Sequence, residues 1–269
     1  MSHPPVALTI AGSDPSGGAG IQADLKTFSA LGVYGTSVIT ALTAQNTCGV
    51  SGVHVVPTEF VIAQLETLVA DVRLDTIKIG MLANADIVRA VGEFLVRHPH
   101  QHVVLDPVMV ATSGDRLLDD DAVRAIRELM PLVSLITPNL AEAAALLDTR
   151  QAASVPDLRA QALALREMGA QRVLIKGGHL RDDVRAVDLL LHLDGEELLA
   201  APRVNTVNTH GTGCTLSSAL AALRPQRDTW AQTALDAKSW LTAALAAADG
   251  LEIGHGHGPV HHFHEAWDR

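Results

Sequence analysis

Hydrophobic and polar positions follow two regimes along the chain. Short apolar runs read as buried strands, and the stretches between them carry apolar residues three and four positions apart, as amphipathic helices do. PVALTIAG precedes the helical GIQADLKTFSALG, and TSVITALTA and GVHVVP lead into TEFVIAQLETLVADV. DTIKIGML precedes NADIVRAVGEFLVRH, HVVLDPVMV precedes DDAVRAIRELMPLV, SLITPN precedes LAEAAALL, and DLRAQALALREMG precedes RVLIKGG. VDLLLHLDGEELLAAPRV reads as a hairpin turning at Asp194-Gly195. GCTLSSALAALR and DTWAQTALDAKSWLTAALAAADG close the chain as helices. Strand–helix repetition of this kind predicts right-handed crossovers and an α/β fold with a mostly parallel sheet. In such sheets ligands sit at the carboxyl ends of the strands. That edge collects Gly12-Ser13-Asp14, Gln45-Asn46, Gly80-Met81, Asp106-Pro107, Pro138-Asn139 and Lys176-Gly177-Gly178, which predicts one active site. There is no internal repeat or linker; QAASVP (151–156) reads as a loop, and residues 1–269 read as one domain.

Composition narrows this picture. With 48% apolar residues and few aromatics, the core must be filled by Ala, Leu and Val, which suits helices packed on a parallel sheet. A net charge of −10 argues against nucleic acid as a partner, because phosphate-backbone binding needs a basic face. No stretch approaches the roughly 18 uncharged apolar residues of a membrane span. MSHPPVALTIAGSD carries no basic leader, so a cytoplasmic protein is expected. Cys48 and Cys214 do not suggest a disulfide framework.

Two glycine-rich stretches carry the candidate chemistry. In GSDPSGGAGIQAD (12–24), Gly18–Ala23 matches GxGxxA. The glycines arrive too late after the strand for a dinucleotide turn, and the acidic residue required about 20 positions on is missing. No GxxxxGK[ST] is present either, which excludes a Walker loop. A loop placing Asp24 and backbone amides against a small substrate is expected instead, the alternative being a turn that only caps the helix. The second stretch is NTHGTGCTLSSAL (208–220). Glycines at a helix N-terminus leave amides unpaired, and with the helix dipole these amides bind phosphate or developing negative charge. Gly211 and Gly213 permit close approach, and Thr212 adds a hydroxyl donor. Cys214, in this positive potential, is expected to have a lowered pKa and to accept a proton from a substrate hydroxyl; the alternative is a small buried hydrophobe.

Taken together, ALTIAGSDPSGGAGIQADLKTFSALGVYG, VITALTAQNT, KIGML, VVLDPVM, LITPNLAEA, VLIKGGH and NTHGTGCTLSSA resemble, in order, the bacterial hydroxymethylpyrimidine/phosphomethylpyrimidine kinases of thiamine biosynthesis. These belong to the ribokinase-like superfamily. The resemblance runs from about Ala7 to the GHGHGPVHHFH tail. It implies a three-layer α/β/α sandwich and two successive ATP-dependent phosphoryl transfers, first to a pyrimidine hydroxymethyl group and then to its monophosphate. In much of the superfamily an aspartate taken as the base stands where this chain has Cys214. Gly211, Thr212 and Gly213 would stabilise the phosphoryl group.

The resemblance assigns further roles. Gln45 would read the aminopyrimidine, since an amide offers a donor and an acceptor side by side. Gly12, Asp24, Met81 and Val108 would complete the substrate pocket. Asn139 and Glu142, as PNxxE, resemble the superfamily's phosphate-and-metal motif, with Glu142 beside Mg²⁺; the same residues also read as a helix cap. Lys176 would meet the ATP phosphates, Thr206 and Thr209 would lie near the nucleotide, and Lys238 near the adenine. Val207 departs from the pattern, because many relatives carry lysine there. The His-rich tail reads as a structural or lid segment, His179 and His210 as structural, and Cys48 as packing near the pocket. A homodimer is implied by resemblance, and a pyridoxal kinase, which shares the fold and the cysteine, is the nearest alternative.

Overall fold

The computed structural model describes residues 3–109, 120–178, 180 and 185–267. Its centre is an eight-stranded sheet in the order β10-β9-β8-β7-β6-β5-β1-β2. In chain order these strands are β1 (Val6–Ala11), β2 (Tyr34–Ile39), β5 (Thr76–Ile79), β6 (Val103–Leu105), β7 (Leu135–Ile136), β8 (Val173–Ile175), β9 (Arg185–His192) and β10 (Gly195–Pro202). The strands from β2 to β8 pair in parallel, whereas β9 runs antiparallel to both β8 and β10. The expected hairpin is β9–β10, and it closes one edge of the sheet.

Helices cover both faces. They are α1 (Gly20–Ala30), α2 (Thr58–Val69), α3 (Ala85–Arg97), α4 (Asp120–Leu129), α5 (Leu140–Leu147), α6 (Val155–Glu167), α7 (Thr212–Leu223) and α8 (Trp230–Ala246). The central strands are short and apolar on both sides, and their alternation sorts the layers. Val103, Leu105, Ile136, Val173 and Ile175 pack with α2 to α6. Val104, Leu135 and Leu174 pack with α1, α7 and α8 on the opposite face. The three-layer sandwich follows from this division. Polar caps start several of the helices: Asn84 accepts from the Ile87 amide at 2.9 Å, and Thr229 from the Gln232 amide at 3.1 Å.

One element departs from expectation. TSVITALTA reads as a single strand but breaks at Thr40, between β2 and a separate two-stranded ribbon of β3 (Ala41–Asn46) and β4 (Gly49–Val55). Thr40 is held there by its amide on the Ala11 carbonyl at 3.0 Å and its hydroxyl on the Met81 carbonyl at 2.7 Å. The ribbon therefore leaves the sheet at the carboxyl edge and carries Gln45 over that edge. Among the described residues no helix is long and apolar enough to cross a membrane.

Candidate active site

The carboxyl ends of β1, β5, β7 and β8, the β3–β4 ribbon and the start of α7 enclose a cavity of about 640 Å³. Gly12, Gln45, Met81, Val108, Asn139, Glu142, Lys176, Thr206, Thr209, Lys238 and the run Gly211–Cys214 all line it. The structure thus gathers every site residue read from the sequence except Asp24. Thr43 and Gln45 face inward from β3, with Met81 and Val108 among the walls at the same end. Val204, Leu241 and Leu245 line the cavity with Lys238.

The start of α7 forms the expected anion seat, with two corrections. Gly211 adopts φ 74°, and a side chain there would collide with the Gly18 carbonyl, so only glycine fits. Among the described residues the amides of Gly211, Gly213 and Cys214 have no partner, whereas that of Thr212 donates to the Thr209 carbonyl at 3.2 Å. The Thr212 hydroxyl also turns back to that carbonyl, at 2.6 Å, and is spent locally. Cys214 is half-buried at the cavity wall. Burial pushes its thiol up to about 11, with Asp24 and Asp106 adding to the rise and the Lys78 ammonium and the Gly20 amide opposing it. The expected lowering is overturned, because the cost of desolvating a thiolate here exceeds the attraction of Lys78 and the Gly20 amide.

Asp24, on α1, needs correction too. It is fully buried and touches no open space. Its Oδ1 accepts from Lys78 at 2.9 Å and Ser218 at 2.6 Å, and its Oδ2 from Lys78 at 2.8 Å and Thr9 at 2.6 Å. A carboxylate so occupied has no capacity left for a substrate. The loop before α1 is instead organised by Asp14, whose Oδ2 accepts from the Ala19 amide at 2.8 Å and lies 2.7 Å from His210 Nε2. These partners outweigh burial and hold the Asp14 carboxyl below its ordinary range. His210 lies 3.5 Å from the Gln45 amide nitrogen, which links the ribbon to the α7 loop.

At the opposite side of the anion seat, Lys176 Nζ lies 2.7 Å from Asp106 and 3.7 Å from Glu142. Burial opposes the ammonium, but the two carboxylates outweigh it and raise its pKa. Burial pushes Glu142 up to about 7 against the pull of Lys176, with Asp106 adding to the rise. Asn139 and Glu142 form a capping box at α5, with the Glu142 amide on Asn139 Oδ1 at 2.9 Å and the Asn139 amide on Glu142 Oε2 at 2.7 Å. Lys238 is paired with Asp188 at 2.6 Å, and the Thr206 hydroxyl donates to Asp249. Val207 is 69% exposed. Cys48 is exposed in the ribbon turn and does not line the cavity, contrary to expectation. His179 lies outside the described residues.

Sequence reasoning missed Lys78, Asp188 and the pairing of Asp106. Lys78 carried a signal, a lone lysine in the apolar strand TIKI, whereas the other two are revealed only by partners distant in sequence. The C-terminal tail returns to the site, as a structural segment would. The His257 and Gly256 amides donate to the Thr47 carbonyl and hydroxyl at 3.0 and 3.2 Å, and the Gly258 carbonyl accepts from the His210 amide at 3.0 Å. Buried His262 meets the Thr215 hydroxyl at 3.0 Å.

The comparisons agree with this geometry. Residues 14–261 match the family model described as phosphomethylpyrimidine kinase. A hydroxymethylpyrimidine/phosphomethylpyrimidine kinase from Salmonella typhimurium is 62% identical over 97% of this chain and 98% of its own length. Among solved structures, the ADP complex of Bacillus subtilis pyridoxal kinase superposes with a TM-score of 0.90 at 35% identity, covering 99% of this chain and 100% of that one. A phosphomethylpyrimidine kinase from Clostridium difficile gives 0.80 at 38% identity, covering 90% and 99%. With the ribokinase-like sandwich, the glycine-framed start of α7 and a match over nearly the whole chain in agreement, the chain belongs to the phosphomethylpyrimidine kinase family.

Proposed function

We propose that this chain transfers the γ-phosphoryl group of ATP to the hydroxymethyl group of 4-amino-5-hydroxymethyl-2-methylpyrimidine and then to the resulting monophosphate, in the cytoplasm, as a step of thiamine biosynthesis. The observation that carries this reading is the set of unpaired amides at Gly211, Gly213 and Cys214, which faces the same cavity as Gln45 and Lys176. Gln45, backed by Met81 and Val108, holds the aminopyrimidine through paired donor and acceptor. The amides receive the charge of the transferring group, and Lys176 adds a point charge at the phosphates. In the first step the hydroxyl attacks phosphorus and its proton passes to Cys214 Sγ in the thiolate form. A thiolate with so high a pKa is scarce at neutral pH but strongly basic. In the second step the attacking phosphate oxygen is already anionic and requires no base.

The residues present fit Mg²⁺. Glu142 and Asp106 are two buried carboxylates beside Lys176, and a magnesium ion takes one or two carboxylates, keeping its other positions for water and phosphate. Bound there, the ion would neutralise charge on the triphosphate. We also propose a homodimer. The ribbon's exposed Leu42 and Val53 are the surface a second copy would cover, and light scattering at working concentration tests it.

A second reading, phosphorylation of pyridoxal, is favoured by the close superposition with the Bacillus subtilis pyridoxal kinase. ADP release measured separately with the pyrimidine, its monophosphate and pyridoxal decides between them. Turnover of both pyrimidines is expected, and turnover of pyridoxal alone would replace the first reading.

A further inference from the structure

The base step proposed above needs a thiolate, yet the cavity wall penalises one. The inner face of α7 carries a compensating arrangement. Cys214 and Ser218 lie one turn apart, on one side of the helix. Ser218 reaches Asp24 at 2.6 Å, and Asp24 in turn binds Lys78 through both carboxylate oxygens at 2.8 and 2.9 Å. An ammonium has three donors. Lys78 places two on Asp24, and among the described residues no acceptor takes the third. Its side chain borders the same cavity as Cys214. Gly80 keeps that approach clear, since a Cβ there would lie 2.7 Å from Lys78 Nζ. A buried ion pair is not needed for stability, because apolar residues of the same volume serve as well or better. An ammonium retained inside the apolar strand TIKI calls for another explanation.

We propose that Lys78 is a positioning residue for Cys214: anchored on Asp24, its ammonium supplies the positive charge against which the sulfur holds its anionic form. The role rests on the kinase reading and deepens it. Lys78 neither gives nor takes a proton. The hydroxyl proton moves to Sγ as the new O–P bond forms and the bond to the bridging oxygen of ADP breaks. Four charged groups act on the sulfur. Lys78 on β5 and Lys176 beyond β8 favour the anion, whereas Asp24 on α1 and Asp106 beyond β6 oppose it. Burial opposes the charge on Lys78 itself, but Asp24 outweighs it, so the ammonium persists.

The test is the rate at which iodoacetamide alkylates Cys214 in the ligand-free protein at pH 9, resolved from exposed Cys48 by peptide mass spectrometry. Lys78→Met is expected to slow alkylation about tenfold, one pKa unit, whereas Lys78→Arg, which keeps the positive charge, is expected to leave the rate within about twofold of wild type. A lysine that merely supported packing would not give a slower rate with Met and a preserved one with Arg, because loosening the site exposes the thiol and speeds both variants. Equal rates in the folded variants, or acceleration in both, overturn the role of Lys78. Should Lys78→Met fail to fold, Lys78→Gln takes its place, and an unchanged or faster rate overturns it. Alkylation requires no turnover. Loss of the kinase reading, seen as wild-type protein that phosphorylates neither pyrimidine, is therefore distinguishable from loss of this one.

Discussion

Cys214 stands between a helix terminus that favours its anion and a buried wall that resists it, and the wall prevails, with the thiol near 11. This fixes the sign of a pH effect. Below that value the thiolate fraction grows about tenfold per pH unit, so kcat/KM for the first phosphorylation should climb between pH 7 and 9. The second phosphorylation should lack that climb, which stopped-flow or coupled assays of the two steps can compare. Cys214→Ser should slow the first step by about 100-fold and the second by far less. Gln45→Ala should raise KM for the pyrimidine about tenfold with little change for ATP, as loss of one hydrogen-bonding reader does. The positions of these residues were legible because glycine spacing around Cys214 and the AQN run are local signals. The protonation of Cys214 and the sealing of Asp24 were not. The first depends on burial by elements remote in sequence, and the second on Lys78, which lies 54 residues from Asp24 and comes beside it only when β5 packs under α7.

At the scale of elements, α7 is the part least able to absorb change. Its entry turns on Gly211 at positive φ against the Gly18 carbonyl. Gly211→Ala should cost about 1–2 kcal/mol in backbone strain alone and push the amides off their seat. Activity in both steps should fall by about 100-fold or more, the scale of one lost oxyanion donor, with a lowered Tm in the same preparation. Helices were readable from their apolar spacing and from caps such as Asn84 and Asn139, whose side chains bond three residues ahead. The break of TSVITALTA into two sheets was not, because β-propensity is high on both sides of Thr40. What bends the chain there is a pair of hydrogen bonds to Ala11 and Met81, both remote in sequence.

For the molecule as a whole, stability in acid should be governed in part by the tail. Burial, with Lys26, His261 and His264 nearby, pushes His262 down to about 3. Between roughly pH 6.5 and 3 the unfolded chain binds a proton there that the folded chain refuses. Stability should therefore fall on acidification by about 1.4 kcal/mol per pH unit from this group, and be unaffected by it above pH 7. Denaturant titrations of wild type and His262→Gln over pH 4–7 check it, the variant showing the shallower slope. The parallel sheet and its three layers were legible in the strand–helix alternation, whereas the return of the tail to the cavity was not, since GHGHGPVHHFH has no apolar period to announce a partner. That return ties Thr47 at the tip of the ribbon and His210 beside the α7 loop to a single strand of backbone. A nick or a premature stop at Ile253 would cut both tethers in one event, so a shortened chain should lose its grip on the heterocycle and on the phosphates together rather than one after the other.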